Sequence, residues 1–220
     1  HKVRGMISPG DFIPLAESSG LILPLGEQIL EMACDEINHW KQLGLPEFLV
    51  AVNLSPIQFS DQNLVEKISE TLQRKGVSPH RIELEITENT LMDTSSDAIE
   101  RLTKLYGMGI KLAIDDFGTG YSSLSYLKKF PVHKLKIDRA FIMDVTTDKD
   151  DAIIARTIIH LGQAMNLEII AEGVETEDQL DFLRNEGCEQ GQGFLFAKPM
   201  SSDALIEWLP KHQSNMLKSA

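Results

Sequence analysis

A parallel α/β barrel is the fold this sequence predicts, on three observations. Six apolar segments suited to strands alternate with helical patterns along the 220 residues, and such repetition implies a parallel sheet, either doubly wound or closed on itself. Within the strand segments, alternate side chains point to opposite sides, and this splits the residues into a polar face and an apolar face. The polar residues crowd toward the C-terminal ends of the strands. A doubly wound sheet, covered by helices on both faces, has no home for that polar set. A barrel does, because it gathers such groups at its C-terminal mouth, where barrel enzymes place their chemistry.

The strands are expected at 48–54, 81–88, 110–115, 134–138, 167–172 and 191–196, each rich in Val, Ile, Leu or Phe. Helical patterns occupy 24–43, 61–75, 94–106, 122–129, 149–165, 176–185 and 202–209. Ser60 and Ser202 suit N-caps, and Gly44, Gly76, Gly107 and Gly187 fall where helices should end. In RIELEITE, Glu83 and Glu85 share one face and Leu84 and Ile86 the other; in KLKID, Lys134, Lys136 and Asp138 oppose Leu135 and Ile137. Six strands are two short of the usual eight, so the first pair is expected upstream of His1, and the chain reads as a piece of a longer polypeptide.

The apolar fraction of 42% and charged fraction of 25% are those of an ordinary globular domain, and no apolar run approaches a membrane span. One soluble domain over 1–210 is predicted, followed by a polar, mobile tail at 211–220. With 33 acidic against 21 basic residues, the net charge of −12 argues against general attraction to nucleic acid or an anionic membrane. An anionic substrate therefore needs a local bridge, such as a metal. Cys34 and Cys188 suggest neither a disulfide framework nor a zinc cluster, and read as buried thiols in a reducing compartment. The histidines, including His80, His133 and His160, lie away from the strand ends and read as surface or loop residues.

The strand ends carry Asn53; Glu85 and Glu88; Asp115 and Asp116; Lys136 and Asp138; Glu172 and Glu175; and Gln192. Focused in a barrel mouth, these carboxylates repel unless cations are bound, and an oxygen set of one amide and several carboxylates suits Mg²⁺, Mn²⁺ or Ca²⁺. The adjacent aspartates suit two neighbouring ions and two-metal displacement at phosphorus. An ammonium at Lys136 suits positioning a nucleophilic water, with Glu172 accepting its proton. Gly118 and Gly120 flank Thr119 in a loop able to approach the site closely. Taken singly each residue has a structural reading: Glu83 and Glu85 as cross-strand partners of lysines, the aspartate pair as a turn or cap, and Asn53 as a turn residue. Their convergence at one end of five strands favours a site.

These residues resemble the EAL-domain family, phosphodiesterases of the bacterial second messenger cyclic di-GMP. The resemblance runs through FIPLAESSGLI at 12–22, VNLS at 52–55, ELEITE at 83–88, AIDDFGTGYSSLSYL at 113–127, LKIDRAFI at 135–142, IAEGVET at 170–176 and QGFLFAKP at 192–199. It implies an EAL-type (β/α)8 barrel. It implies that Asn53, Glu85 and Asp115 ligate one metal and that Asp115 and Asp116 serve a second, with Asp138 and Glu172 adjoining. By the same resemblance Lys136 holds the attacking water, and Glu172 activates it or organises the metals. Glu88 anchors the 118–126 loop, which is linked to metal binding and dimerisation, and Glu175 supports the site. Gln192, Arg139 and Pro199 line the substrate cleft. The implied reaction is Mg²⁺- or Mn²⁺-dependent hydrolysis of cyclic di-GMP to the linear dinucleotide pGpG, with Ca²⁺ inhibitory, in the bacterial cytoplasm or the cytoplasmic part of a membrane-bound sensor. A homodimer through the 118–126 loop and upstream sensory or GGDEF domains are implied partners. The Glu-Ala-Leu motif, with a metal ligand and a substrate-contacting arginine, is expected upstream of FIPLAE. A catalytically silent cyclic di-GMP receptor is the alternative, and a barrel enzyme acting on an enolisable acid is a third reading on chemistry alone.

Overall fold

The computed structural model describes residues 5, 7–92, 96–120 and 127–216. Six strands, β1 (Val50–Leu54), β2 (Ile82–Thr87), β3 (Lys111–Phe117), β4 (Lys134–Ile137), β5 (Glu168–Glu172) and β6 (Gln190–Gln192), form one sheet. Every neighbouring pair is parallel, and the strands stand in sequence order. The order never reverses, so the sheet has no switch point of the doubly wound kind. It winds steadily in one direction as part of a (β/α)8 barrel.

The described helices are α1 (Pro9–Ser18), α2 (Ile22–Gln42), α3 (Pro56–Ser60), α4 (Leu64–Lys75), α5 (Glu88–Met92), α6 (Ser96–Gly107), α7 (Arg139–Met143), α8 (Lys149–Ala164), α9 (Glu177–Asn185) and α10 (Ser202–Met216). The apolar face of the strands forms the core beneath them: Leu84, Ile86, Leu112, Ile114, Leu135 and Ile137 are buried with Ile37, Leu72, Leu102, Leu105 and Ile159 of the helices. Each such side chain contributes about 1.5–3 kcal/mol relative to remaining exposed. The opposite face holds the polar set. Lys134 is buried in a pair with Glu83 at 2.9 Å, so for Glu83 the structural reading as a cross-strand partner holds.

Several elements differ from expectation for identifiable reasons. Ser60 is not the cap of the helix that follows; it lies inside α3, whose start is fixed by Pro56 and a reciprocal Ser55–Gln58 capping box. The N-cap of α4 is Asn63. Ser202 does not cap α10 either. Its Oγ accepts from Trp40 Nε1 at 2.9 Å and donates to Glu36 at 2.6 Å, clasping α10 to α2, while Ser201 Oγ accepts from Ala204 N. The helix α10 continues through Pro210 to Met216, so 211–216 is helical. Gly44, Gly76 and Gly187 follow helices with φ near +70° (+69°, +64° and +79°), but after α6 that role falls to Gly109 at +92° and not to Gly107. His133 is half-buried, stacked on Tyr106, and its Nδ1 accepts from Leu112 N. The greater part of the expected helix at 122–129 lies outside the described residues.

The last strand ends at Gln192, not at residue 196. Val174 N donates to Gln192 O and Leu195 N donates to Val174 O, so the chain turns around Val174 instead of extending past it. Gly193 makes this possible, since a β-carbon there would collide with the backbone N and O of Val174. Gly193→Ala is therefore expected to cost about 2–4 kcal/mol of stability, read as a lowered urea midpoint; an unchanged midpoint would show that this turn shifts freely.

Candidate active site at the strand ends

Lys136 stands on the inward face of β4 and is 4% exposed. Its Nζ lies 2.8 Å from Glu85 Oε1 of β2, 2.9 Å from Asp115 Oδ1 of β3 and 2.7 Å from Glu172 Oε1 of β5. One ammonium thus draws together carboxylates from three other strands. Burial disfavours its charge, but the hydrogen bonds to Glu172, Glu85 and Asp115 prevail and hold its pKa above the ordinary lysine value. Lys136 stays charged. Three acids share that single cation, and burial pushes Glu85 above the usual carboxylate range despite its contact with Lys136.

Asp115 and Asp116 both reach the site although adjacent strand residues should face opposite ways. The register explains this: Ile114 pairs with Leu135 and Phe117 with Ile137, so three steps of β3 match two of β4. The extra residue makes a β-bulge, and Asp116 takes φ +53°, a left-handed conformation that aspartate tolerates better than most residues. Carboxylate oxygens of Asp115, Asp116 and Glu172 consequently lie within 4.8 Å of one another. Burial, a hydrogen bond with Asp138 and the repulsion of Asp115 push the Asp116 carboxyl up to about 6. So crowded a set of hard oxygen donors, whose mutual repulsion makes Asp116 harder to ionise, fits a divalent cation. Asp138 also accepts from Ala140 N at 2.7 Å and so caps α7.

The following loop is held from below. Glu88, 1% exposed, accepts from Gly118 N through Oε2 at 2.8 Å. A β-carbon on Gly120 would come 2.8 Å from Glu88 Oε1 and from Asn89 Oδ1. Thr119 Oγ1 donates to the Asp116 carbonyl at 2.8 Å, fastening the loop to the bulge. Residues 121–126, the remainder of the loop assigned to dimerisation, lie outside the described residues.

The other expected site residues lie around this centre. Asn53 pairs in register with Glu85 and is exposed on β1, whose only described neighbour is β2. Arg139, the first residue of α7, pairs with Glu175 at 2.9 Å; Gln192 ends β6 opposite Glu172; Pro199 is exposed beyond it. Sequence reading missed Gln179, which is buried and bonded to the backbone of Glu175 and Thr176. Its signal was present in T-x-x-Q, the spacing of a capping box.

A parallel barrel with an acid-rich, lysine-centred mouth defines the class of this protein. The EAL domain profile matches residues 1–199, and the chain belongs to that family. It is 46% identical over 206 residues to the bifunctional diguanylate cyclase/cyclic di-GMP phosphodiesterase MucR of Pseudomonas aeruginosa, covering 94% of this chain and 30% of that protein. It is 41% identical over 209 residues to the cyclic di-GMP phosphodiesterase NbdA of the same species, covering 95% and 27% respectively. The chain thus spans under a third of these relatives. The structure of the MucR phosphodiesterase in complex with cyclic di-GMP superposes with a TM-score of 0.90, covering 93% of this chain and 83% of that one. Among the described residues no helix is long and apolar enough to cross a membrane.

Asp116 gives a pH prediction. The folded state holds its proton more tightly than the unfolded chain, where an ordinary aspartate titrates near 3.8, so its favourable share is complete below that value and lost as pH rises through about 6. Asp116→Asn removes the surplus carboxylate and suits the left-handed backbone. In metal-free buffer near pH 7.5 it should raise the melting midpoint by about 2–6 °C, with no gain near pH 3.5; a lowered midpoint at the higher pH would refute the repulsion.

Proposed function

We propose that this domain hydrolyses one phosphodiester bond of cyclic di-GMP, giving linear pGpG, in a reaction dependent on Mg²⁺ or Mn²⁺. The observation that carries the reading is the Lys136 ammonium bound to Glu85, Asp115 and Glu172 beside the bulged Asp116. The names of MucR and NbdA and the cyclic di-GMP complex of MucR support the substrate. Asp115, Asp116 and Glu172, with Glu85, Asn53 and Asp138 adjoining, would hold the divalent ions. Bound there, such ions supply an acidified water and neutralise charge at phosphorus.

The chain's own residues do the rest. Lys136, kept charged by its partners, orients the attacking oxygen by donating to it and offsets charge that develops during attack. Glu172 accepts the proton of that water, and its contact with Lys136 fixes where it does so. Arg139 at the rim offers a cation to a phosphate in a molecule whose net charge of −12 otherwise repels it. Gln192 and Pro199 border the same cleft. Retention of Lys136 and every described acid favours turnover over a silent receptor.

The test is hydrolysis of cyclic di-GMP in Mg²⁺ and in Mn²⁺, followed by chromatography, using this chain beside one extended upstream. Turnover by either supports the reading, and binding without turnover by both replaces it with the receptor reading. In the active form, Asp115→Asn should lower kcat at least about a hundredfold with the fold intact by circular dichroism. Lys136→Ala should lower kcat about 10²–10³-fold with KM changed only a few-fold; an equal loss in binding would make Lys136 a binding group alone.

A further inference from the structure

Gln179 lies in the first turn of α9 and is only 5% exposed. Its Oε1 accepts from Glu175 N at 2.7 Å and from Thr176 N at 3.0 Å. Its Nε2 donates to the carbonyl of Met143, the last residue of α7, at 3.0 Å. The oxygen completes a capping box, as a glutamine at this position often does. The nitrogen does something a cap does not need: it bolts the exit of β5 to the far end of the helix that begins at Arg139.

Two further contacts cross the same gap. Arg139 Nη2 bonds Glu175 Oε1 at 2.9 Å, with side chains 55% and 40% exposed. The stem of Arg139 lies against Gly173, which has φ +72° and where a β-carbon would collide with Arg139 Cγ. An ion pair so exposed holds little by itself. The buried amide of Gln179 is the rigid element, and an apolar side chain in its place leaves the Met143 carbonyl and two N–H groups without this partner.

We propose that Gln179 is a positioning residue that keeps Arg139 and Glu175 together as one rim of the site, and thereby sets affinity for an anionic dinucleotide that it does not touch. The inference rests on the phosphodiesterase reading above. Gln179→Glu separates positioning from plain capping, because glutamate retains both accepted bonds and loses the donation to Met143. Gln179→Met, apolar and of similar length, removes both halves.

The experiment compares kcat and KM for cyclic di-GMP in the wild type, Gln179→Glu, Gln179→Met, Arg139→Ala and the Gln179→Glu/Arg139→Ala pair, in the chain that turns over. Hydrogen exchange of 139–143 and 173–179 is followed alongside. Gln179→Glu should raise KM about five- to tenfold with kcat within about twofold, and the double variant should be no worse than Arg139→Ala. Gln179→Met should reproduce the KM rise. Wild-type KM in Gln179→Glu, or KM effects that multiply in the double variant, would overturn the proposal. If the wild type neither binds nor hydrolyses cyclic di-GMP, the functional reading fails separately, and exchange decides: faster exchange of both segments in Gln179→Glu supports the bolt, and unchanged exchange refutes it.

Discussion

Everything at the mouth of this barrel depends on the contact of one buried ammonium with three carboxylates. Lys136 reaches Glu85, Asp115 and Glu172 at 2.7–2.9 Å from three different strands. Breaking such a buried pair strands uncompensated charge, at a cost of several kcal/mol. Lys136 therefore has a structural duty that precedes any chemical one: it allows strands bearing acids at equivalent heights to close side by side. One storey lower on the same strands, Lys134 and Glu83 repeat the device in an almost fully buried pair.

The device is deliberately incomplete. One ammonium faces Glu85, Asp115 and Glu172, with Asp116 and Asp138 adjoining, so the side chains of the mouth carry surplus negative charge by themselves and the Asp116 carboxyl is pushed up to about 6. Such excess opposes folding and favours a divalent ion, the familiar exchange of stability for function at an active site. The helices and core supply the compensation through a continuous apolar layer on the other face of every strand.

Most of the architecture was legible because period-2 alternation is a strong signal in β2 and β4, where Glu83, Glu85, Lys134 and Lys136 alternate with Leu84, Ile86, Leu135 and Ile137. The ends were less so. The run at 191–196 is apolar enough for a strand, yet the turn around Val174 depends on a backbone approach that composition does not express. Ser202 looks like a cap but is recruited by Trp40 and Glu36, more than 160 positions away. In the site, the acids and Lys136 were all legible at the strand ends, but which of the acids the ammonium would hold was not. Strand register places Lys136 among them, and register is a relation between segments.

The bulge at Asp116 has a meaning for assembly as well as for chemistry. A strand of strictly alternating residues can slide against its neighbour with only its faces exchanged, and a parallel sheet gives it many neighbours to slide along. β3 carries one residue more than β4 across the Ile114–Phe117 interval. Slippage would drive a carboxylate into the packing around Phe117 and Ile137 and draw an aromatic ring into the acidic mouth. The irregular step works as the tooth of a key: the sheet closes in one alignment, and that alignment is the one that assembles the site.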